Sequence, residues 1–510
     1  INSSEGSTLV FTYVGYKTIE QVVGASSTIN VVLAEDVAVL DEVVVTALGI
    51  RREEKSVGYA AQKVGTEEIT TVRNSNVVNS LSGKIAGVNV TNASSAPGSS
   101  SRIILRGVSS IYGDAQPLMI VDGVPIDNTA YGNASSGGGQ DVPNGLADLN
   151  QDDIESINVL KGGPASALYG MRGANGVIVV TTKSGKGIGT SSKLGISINS
   201  SIQFDAVSLL PSYQNSYGQG NNLDYFEYKD GYGTTNAYST GLGGLDESWG
   251  PPLDVGLEFI QWNSFDGQPK PWVSAPDGVR NFYNTGIITN NNVSLNGSSE
   301  NASYRISLGK TDQTGVMHNT DYRKTNIGGN VKFKLSDKWD AGFSVNYIRT
   351  ASDNLPNLGY DTTTNGTQTA QLVWAARQID FDDLRDWRNL PLNTTGTNAG
   401  TPVNWNQAYN NNPFWALETN TNTVAKDRII GNVEVGYDFS DKLRLQLKTS
   451  IDYFTSLNTS RAAFGTASNE FGFYKETGRT RYGINSEFLL SYNTPITEDL
   501  NFSLNFGGNS

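Results

Sequence analysis

A search for chemistry-bearing side chains finds little with which this chain could carry out catalysis. It has no cysteine and one histidine, His318. A thiolate zinc site, a disulfide framework and a Cys/His pair are therefore excluded. His318 has no Ser/Asp constellation near it in sequence, so no triad is proposed. Asp380, Asp382, Asp383 and Asp386 offer carboxylates to a hard cation such as calcium. A solvated acidic loop is the favoured reading, and no cofactor is expected. Gly185-Lys186-Gly187-Ile188-Gly189 has glycines around a lysine but lacks the phosphate-loop spacing and the following Ser/Thr. It reads as a linker.

The backbone of one segment could do more. Leu40-Asp41-Glu42-Val43-Val44-Val45-Thr46 places three β-branched residues in a row after two acids. Such a run favours extended backbone. An extended, unpaired segment can be captured by a partner that adds a strand. The competing reading is a terminal strand of a small β-domain.

Composition narrows the setting. The 510 residues carry 37 Lys+Arg against 50 Asp+Glu, a formal charge of −13. That excess of acid argues against a nucleic-acid partner. No run of about 20 apolar residues is present, so no membrane-spanning helix is expected. A membrane β-barrel needs none, because its apolar residues alternate with polar ones. The chain opens at Ile1 and is soon inside a strand, which predicts that further sequence precedes it.

Three regions must position these features. Residues 1–37 read as strands, Leu9 to Tyr16 and Thr28 to Leu33, from the later part of a small β-sandwich. Residues 38–49 hold the valine segment and a linker. Residues 50–184 read as a small α+β unit. In it, Leu118 to Val121 and Val124 to Ile126 flank an Asp122-Gly123 hairpin turn. Asp153 to Leu160 and Val177 to Thr181 are strands, and a short helix runs from Pro164 to Tyr169. A Gly/Ser loop spans Tyr131 to Gln140.

From 190 to 510 the pattern changes. Leu194, Ile196, Ile198, Ile202 and Phe204 share one parity. So do Ile327, Val331, Phe333 and Leu335, and again Val433, Val435, Tyr437 and Phe439. Leu443, Leu445, Leu447 and Ile451 repeat it. The opposite parity is polar: Asn432, Glu434, Asp438, Arg444, Gln446, Lys448. One apolar and one wet face over about 10 residues suit a strand between lipid and water. About nine such strands are expected, near 193–204, 285–297, 302–313, 321–335, 339–350, 428–439, 443–457, 479–493 and 499–510. Links after the even-numbered strands are short, and those after the first and fifth are very long. A membrane barrel sorts its turns and loops in this way. Nine strands leave an open edge, so more are expected to follow Ser510.

Long phrases in this chain resemble the SusC-like TonB-dependent outer-membrane transporters. They are Leu81-Ser82-Gly83-Lys84-Ile85-Ala86-Gly87-Val88, Arg102 to Gly107, Pro117 to Ile126, Asp153 to Lys161, Ala167 to Ile178, and Asn412-Pro413-Phe414-Trp415. Val14-Gly15-Tyr16-Lys17-Thr18 resembles a strand of the carboxypeptidase-regulatory-like domains found before such transporters. Gly162-Gly163-Pro164 departs from the Asp-Ala-Ser type of stretch that many members carry there.

The resemblance implies a mostly-β protein of Gram-negative outer membrane: a 22-stranded antiparallel barrel when complete, holding a plug at 50–184, with its N-terminal part at 190–510. It implies no enzymatic activity. It implies import of oligosaccharides or peptides through TonB, acting with ExbB and ExbD, under a SusD-like surface lipoprotein lid, and it allows a dimer of transporter–lipoprotein pairs. Asp41, Glu42, Val43, Val44, Val45 and Thr46 would be the TonB box. Arg102, Arg106 and Arg172 would pair with carboxylates of the barrel wall. Trp249, Trp262, Trp272, Trp374, Trp387 and Trp405, in the long loops, would meet cargo or lid. The competing functions are a signalling receptor and an adhesion protein.

Overall fold

The computed structural model describes residues 61–510 except 72–75, 93, 95, 109–114, 133–137, 186–193, 221–226, 230–231, 235–245, 361–367, 395, 397, 407–408, 468 and 498–499. Before residue 61 it describes 7–11, 19–24, 31, 43–45 and 51–53. None of the described helices is long and apolar enough to cross a membrane.

The alternating segments form one nine-stranded antiparallel sheet, each strand paired with the next in sequence. In order they are Gly195–Asp205, Gly286–Ser298, Ala302–Thr314, Asp321–Lys334, Trp339–Ser352, Asn422–Ser440, Leu443–Ala462, Phe473–Pro495 and Asn501–Asn509. We call them the first to ninth wall strands. The sixth begins six residues earlier than its alternation suggests, the seventh ends five later, and the eighth begins six earlier. These extensions lie on the side of the long loops, where the outer face has left the hydrocarbon and no apolar stripe is required.

The wall is inside-out relative to a soluble sheet. Ile198, Phe204, Ile327, Phe333, Val433 and Leu447 are exposed on one face. On the other, Asn292, Ser294, Arg305, Lys324, Asn326, Ser344, Arg428 and Ser450 are buried. A wall with hydrocarbon outside and a polar interior has this distribution. Beside the short turns, Trp339 packs on Tyr437 at 4.5 Å between ring centroids, and Tyr437 on Phe439 at 4.8 Å. Aromatics at that level mark a membrane–water boundary.

The α+β unit sits against the polar face. Its five-stranded sheet runs in the order Ala61–Gly65, Ile154–Leu160, Val177–Thr182, Leu118–Val121, Val124–Ile126. The pair Val177–Val180 and Leu118–Val121 is parallel, and the other pairings are antiparallel. The Asp122-Gly123 turn is present as expected. Both residues have positive φ, 49° and 81°, as a two-residue hairpin of this type needs. The helix at Gly163–Tyr169 is also present. The core is Val64, Ile69, Val77, Leu81, Ile103, Met119, Val121, Ile157, Val159, Ile178 and Val180, and it includes Ile348 and Ile430 from the wall. Unit and wall therefore share one apolar interior, in addition to polar contacts.

Near the N-terminus, Thr8–Phe11 pairs with Ile19–Val22. Ile19–Val22 is a strand that the alternation did not mark; Thr28 to Leu33, apart from residue 31, lies outside the described residues. Val43–Val45 is extended as expected, but it is not unpaired. It forms a two-stranded ribbon with Arg51–Glu53, Val44 opposite Arg52. Asp41, Glu42 and Thr46 lie outside the described residues.

Candidate functional site: the interface between plug and wall

The short turn Gly145–Asp148 delivers one carboxylate into the polar face of the wall. Asp148 is fully buried. Lys426 Nζ lies 2.6 Å and Arg428 Nη1 2.8 Å from its Oδ2. Both cations project inward from the sixth wall strand, two residues apart, as a period of two requires. Burial pushes the Asp148 carboxyl up. The Lys426 and Arg428 charges more than reverse this, so it ends below the usual carboxylate range.

Arg428 is the centre of this network. Its Nε and Nη2 donate to the two Asp452 oxygens at 2.8 and 2.7 Å. Nη2 also donates to the Asp127 carbonyl at 2.9 Å, and the Asp127 amide donates to Asp452 Oδ2 at 2.8 Å. This fork-shaped use of the guanidinium is what arginine geometry allows and lysine geometry does not. Gly145 must be glycine here: a Cβ would lie 2.1 Å from the Asp127 carbonyl oxygen and 2.7 Å from Arg428 Nη1.

Further contacts extend along the same seam. Lys324 Nζ donates to the Ala147 and Leu149 carbonyls at 2.7 and 3.0 Å. Asn326 Nδ2 donates to the Asp148 carbonyl at 2.8 Å. Arg305 Nη2 meets Asp153 Oδ1 at 2.8 Å. Lys448 Nζ donates to the Asp122 carbonyl at 2.7 Å. Arg481 Nε meets Asp127 Oδ2 at 2.8 Å. The Asp127 carboxyl is lowered: burial raises it, but the Tyr131 hydroxyl, the Thr129 donors and Arg481 outweigh burial. Asp122 is raised by its own burial despite hydrogen bonds from Thr182.

The expected polarity of the ion pairs is reversed. Arg102, Arg106 and Arg172 are exposed, and none of them makes an ion pair among the described residues. The plug supplies carboxylates and the wall supplies cations. The sequence signal was weak: Lys426 and Arg428 share the polar parity of the sixth strand with Asn432, Glu434 and Asp438, and Asp148 follows a Gly-Leu-Ala turn. Nothing in the sequence linked positions 148 and 428.

The tryptophan expectation is also corrected. The two long loops pack into a common apolar core. In it, Trp272 and Trp405 are fully buried and Trp262 nearly so, beside Phe282, Phe381, Leu384 and Phe414. Trp272 stands edge-on to Phe259 at 5.0 Å. Trp405 Nε1 donates to Gln371 at 3.1 Å. These three rings hold the loops together and present no face to a ligand. Trp387 is half-buried. Only Trp249 and Trp374 of the six are exposed.

The Asn412-Pro413-Phe414-Trp415 phrase has a local reason. Asn412 caps the helix Pro413–Thr419, accepting from the Phe414 and Trp415 amides at 3.0 and 3.2 Å. The acidic loop residues have structural partners too: Asp380 accepts from Asn281, and Asp382 pairs with Arg385 at 2.6 Å. His318 Nε2 lies 2.9 Å from Glu418 Oε1, and Arg388 binds the same carboxylate, so the histidine ties loops together.

From the plug apex, Gly139–Gln140 pairs with Asn357–Leu358 of the second long loop. Apex and outer loops are thus joined backbone to backbone. Residues 133–137, the centre of the expected Gly/Ser loop, lie outside the described residues.

A sheet with an apolar outer face, filled by a unit anchored through buried ion pairs, defines the class of plugged outer-membrane barrels. The family model for the TonB-dependent receptor plug domain matches residues 53–177. The TonB-dependent receptor SusC of Bacteroides thetaiotaomicron is 28% identical over 506 residues, 96% of this chain and 44% of that protein. The TonB-dependent receptor P26 of Formosa agariphila is 30% identical over 462 residues, 89% of this chain and 39% of that protein. Among solved structures, the RagAB peptide importer in its open-open state matches with a TM-score of 0.66 at 18% identity, covering 92% of this chain and 48% of that one. This chain spans less than half the length of these relatives. Residues 53–177 thus carry a TonB-dependent receptor plug domain, and along its length the chain is similar to SusC-like TonB-dependent receptors.

Proposed function

We propose that this chain is the plug and part of the wall of an energy-coupled importer for nutrients too large for open pores. The carrying observation is the seam itself. A plug held in the wall by Asp148, Asp153 and Asp127 blocks the lumen, and a paired but short ribbon at Val43–Val45 offers a handle. TonB, working with ExbB and ExbD, would take Val43–Val45 into its own sheet, with Asp41, Glu42 and Thr46 flanking it. Its strand must replace Arg51–Glu53, a ribbon of three residue pairs, which is a small barrier.

Cargo binding must favour release of the handle through contacts that differ between the two states. The Gly139–Gln140 pairing with Asn357–Leu358 is a physical link through which outer loops can act on the plug. A SusD-like lipoprotein would sit over the loop platform built on Trp272 and Trp405, with Trp249 and Trp374 exposed on that platform. The cargo class is oligosaccharide or peptide.

Uptake of labelled oligosaccharides and peptides into cells carrying the full-length receptor tests this function. Uptake is expected to require both an energised inner membrane and TonB. Equal uptake in cells lacking TonB would favour a receptor or adhesion role.

A further inference from the structure

We infer that the ribbon between the plug apex and the second long loop is a latch: it fastens the plug from outside, and import requires its two strands to part. This rests on the importer reading and names how its plug is held shut.

The loop side of the ribbon is fixed to the wall. The Leu355 amide donates to the Asn422 carbonyl at 2.8 Å, and the Asn422 amide donates to Asn354 Oδ1 at 3.1 Å. Asn422 Nδ2 donates to the Leu355 carbonyl at 3.1 Å and to Asn357 Oδ1 at 3.3 Å. Asn422 opens the sixth wall strand, so the strand that carries Arg428 also holds this end of the ribbon. The fifth and sixth strands lie in the middle of the sheet, away from both of its open ends. Asn354 Nδ2 donates to the Leu417 carbonyl at 2.9 Å. Leu417 belongs to the apolar core of the loops, with Trp272 and Trp405. The ribbon is therefore tied to the loop platform as well as to the wall.

The other side is fixed to the plug. Asp141, next to Gln140, is buried. It accepts from the Ser100 amide at 3.0 Å, the Ser100 hydroxyl at 2.5 Å and the Ser94 hydroxyl at 3.1 Å. Gly132 backs the same segment so closely that a Cβ there would lie 2.1 Å from the Gln140 carbonyl oxygen.

The joint between these two well-fixed bodies is small. It consists of two residue pairs, Gly139 with Leu358 and Gln140 with Asn357, beside an apolar contact of Val142 with Leu355 and Val424. Each strand turns at a glycine, Gly139 with φ of 112° and Gly359 with φ of 79°. Opening falls where few contacts hold, so separation takes place in the ribbon before it takes place in either flank. An apex that moves toward the periplasm draws Gln140 away from Asn357, because the loop strand is tied to the wall and does not follow. A plug that opens only beside its Val43–Val45 handle leaves the ribbon whole. Cargo or lid on the platform would bias the latch through Asn354, by contacts that differ between the closed and parted states.

The test is a reversible cross-link in the full-length receptor, in cells, with any cysteine elsewhere replaced by serine. Directly opposed residues of an antiparallel pair lie within disulfide reach. Gln140→Cys/Asn357→Cys therefore joins the strands on oxidation with copper–phenanthroline and frees them in dithiothreitol. The probes are a fluorescent mixture of starch oligosaccharides and one of casein peptides. In the oxidised receptor, surface binding should match that of the native receptor, while TonB-dependent uptake should fall about tenfold or more. Reductant should restore uptake in the same molecules, which separates the latch from misfolding. Gln140→Pro removes an amide from the ribbon and restricts φ, and it should keep most of the native uptake. Equal uptake in the oxidised and reduced states would overturn the latch alone, since the plug would then open without its apex. Loss of uptake in Gln140→Pro to the cross-linked level would also overturn it, since the ribbon would then be a conduit and not a fastening. Native receptor that takes up neither mixture in a TonB-dependent way would overturn the importer reading, and the latch with it.

Discussion

Uptake falls roughly a hundredfold when Val43, Val44 and Val45 are all replaced by proline, while cargo binding at the cell surface is unchanged. Proline removes the backbone donor and restricts φ, so the segment cannot enter a sheet on either edge. Three ladder hydrogen bonds at about 1 kcal/mol net each amount to about 3 kcal/mol, which is the stated factor. Side-chain identity enters only through β-branching, so Val→Ile at the same positions should leave uptake intact. The ribbon with Arg51–Glu53 adds a second consequence. Proline also dissolves that pairing, so a defect in uptake cannot be ascribed to a handle locked more tightly. Full uptake in the triple-proline receptor would remove the handle from the mechanism.

The second large effect concerns the anchor. Replacing Asp148 by Ala leaves Lys426 without the carboxylate at 2.6 Å and strips one of two carboxylates from Arg428. Removing one partner of a buried pair is strongly destabilising, on the order of 3–5 kcal/mol. The full-length receptor should show a plug that unfolds or is cleaved by protease at lower temperature, with the wall still folded. Asp148→Ala combined with Lys426→Met should recover part of the loss, because the stranded charge is gone.

The pH dependence has a definite sign. The folded carboxyl of Asp148 is held below its unfolded value near 3.8. Its contribution is complete above that value and disappears as pH falls through the lower folded value. Thermal stability of the seated plug should therefore be insensitive to Asp148 ionisation from neutral pH down to about 5. The variant and the native receptor should converge only in stronger acid. Convergence already at about pH 6 would mean that Asp148 does not hold the plug as an anion.

What could be read from the sequence follows from the range of each interaction. The wall strands were legible because a period of two is written in neighbouring residues, and Ile196, Ile198 and Ile202 state their face without help from elsewhere. The Asp122-Gly123 hairpin was legible for the same reason. The upper ends of the sixth to eighth strands were not, since the outer face has left the hydrocarbon there and no regular apolar alternation marks them. The anchor was out of reach: Asp148 and Arg428 are 280 positions apart. Arginines in the plug looked like the buried partners because charge alone does not reveal burial. The tryptophans misled for a related reason. A polar, Asn-rich loop can still enclose an apolar core, and Trp272 and Trp405 lie inside it while Trp249 stays outside. Composition averages over that difference.

The wall must meet hydrocarbon with its apolar face and enclose the plug with its polar face. These 510 residues hold no cysteine, so, with any cysteine elsewhere in the full-length receptor replaced by serine, single cysteines report one position each. Ile327→Cys and Leu447→Cys place a fluorescent label on the exposed apolar face, and Ser344→Cys and Ser450→Cys place it on the buried polar face. In the full-length receptor in bilayers containing brominated lipid, the first two labels should be strongly quenched and the last two should not. Equal quenching on both faces would contradict this arrangement, as would ready reaction of the thiols introduced in place of Ile327 and Leu447 with a membrane-impermeant reagent.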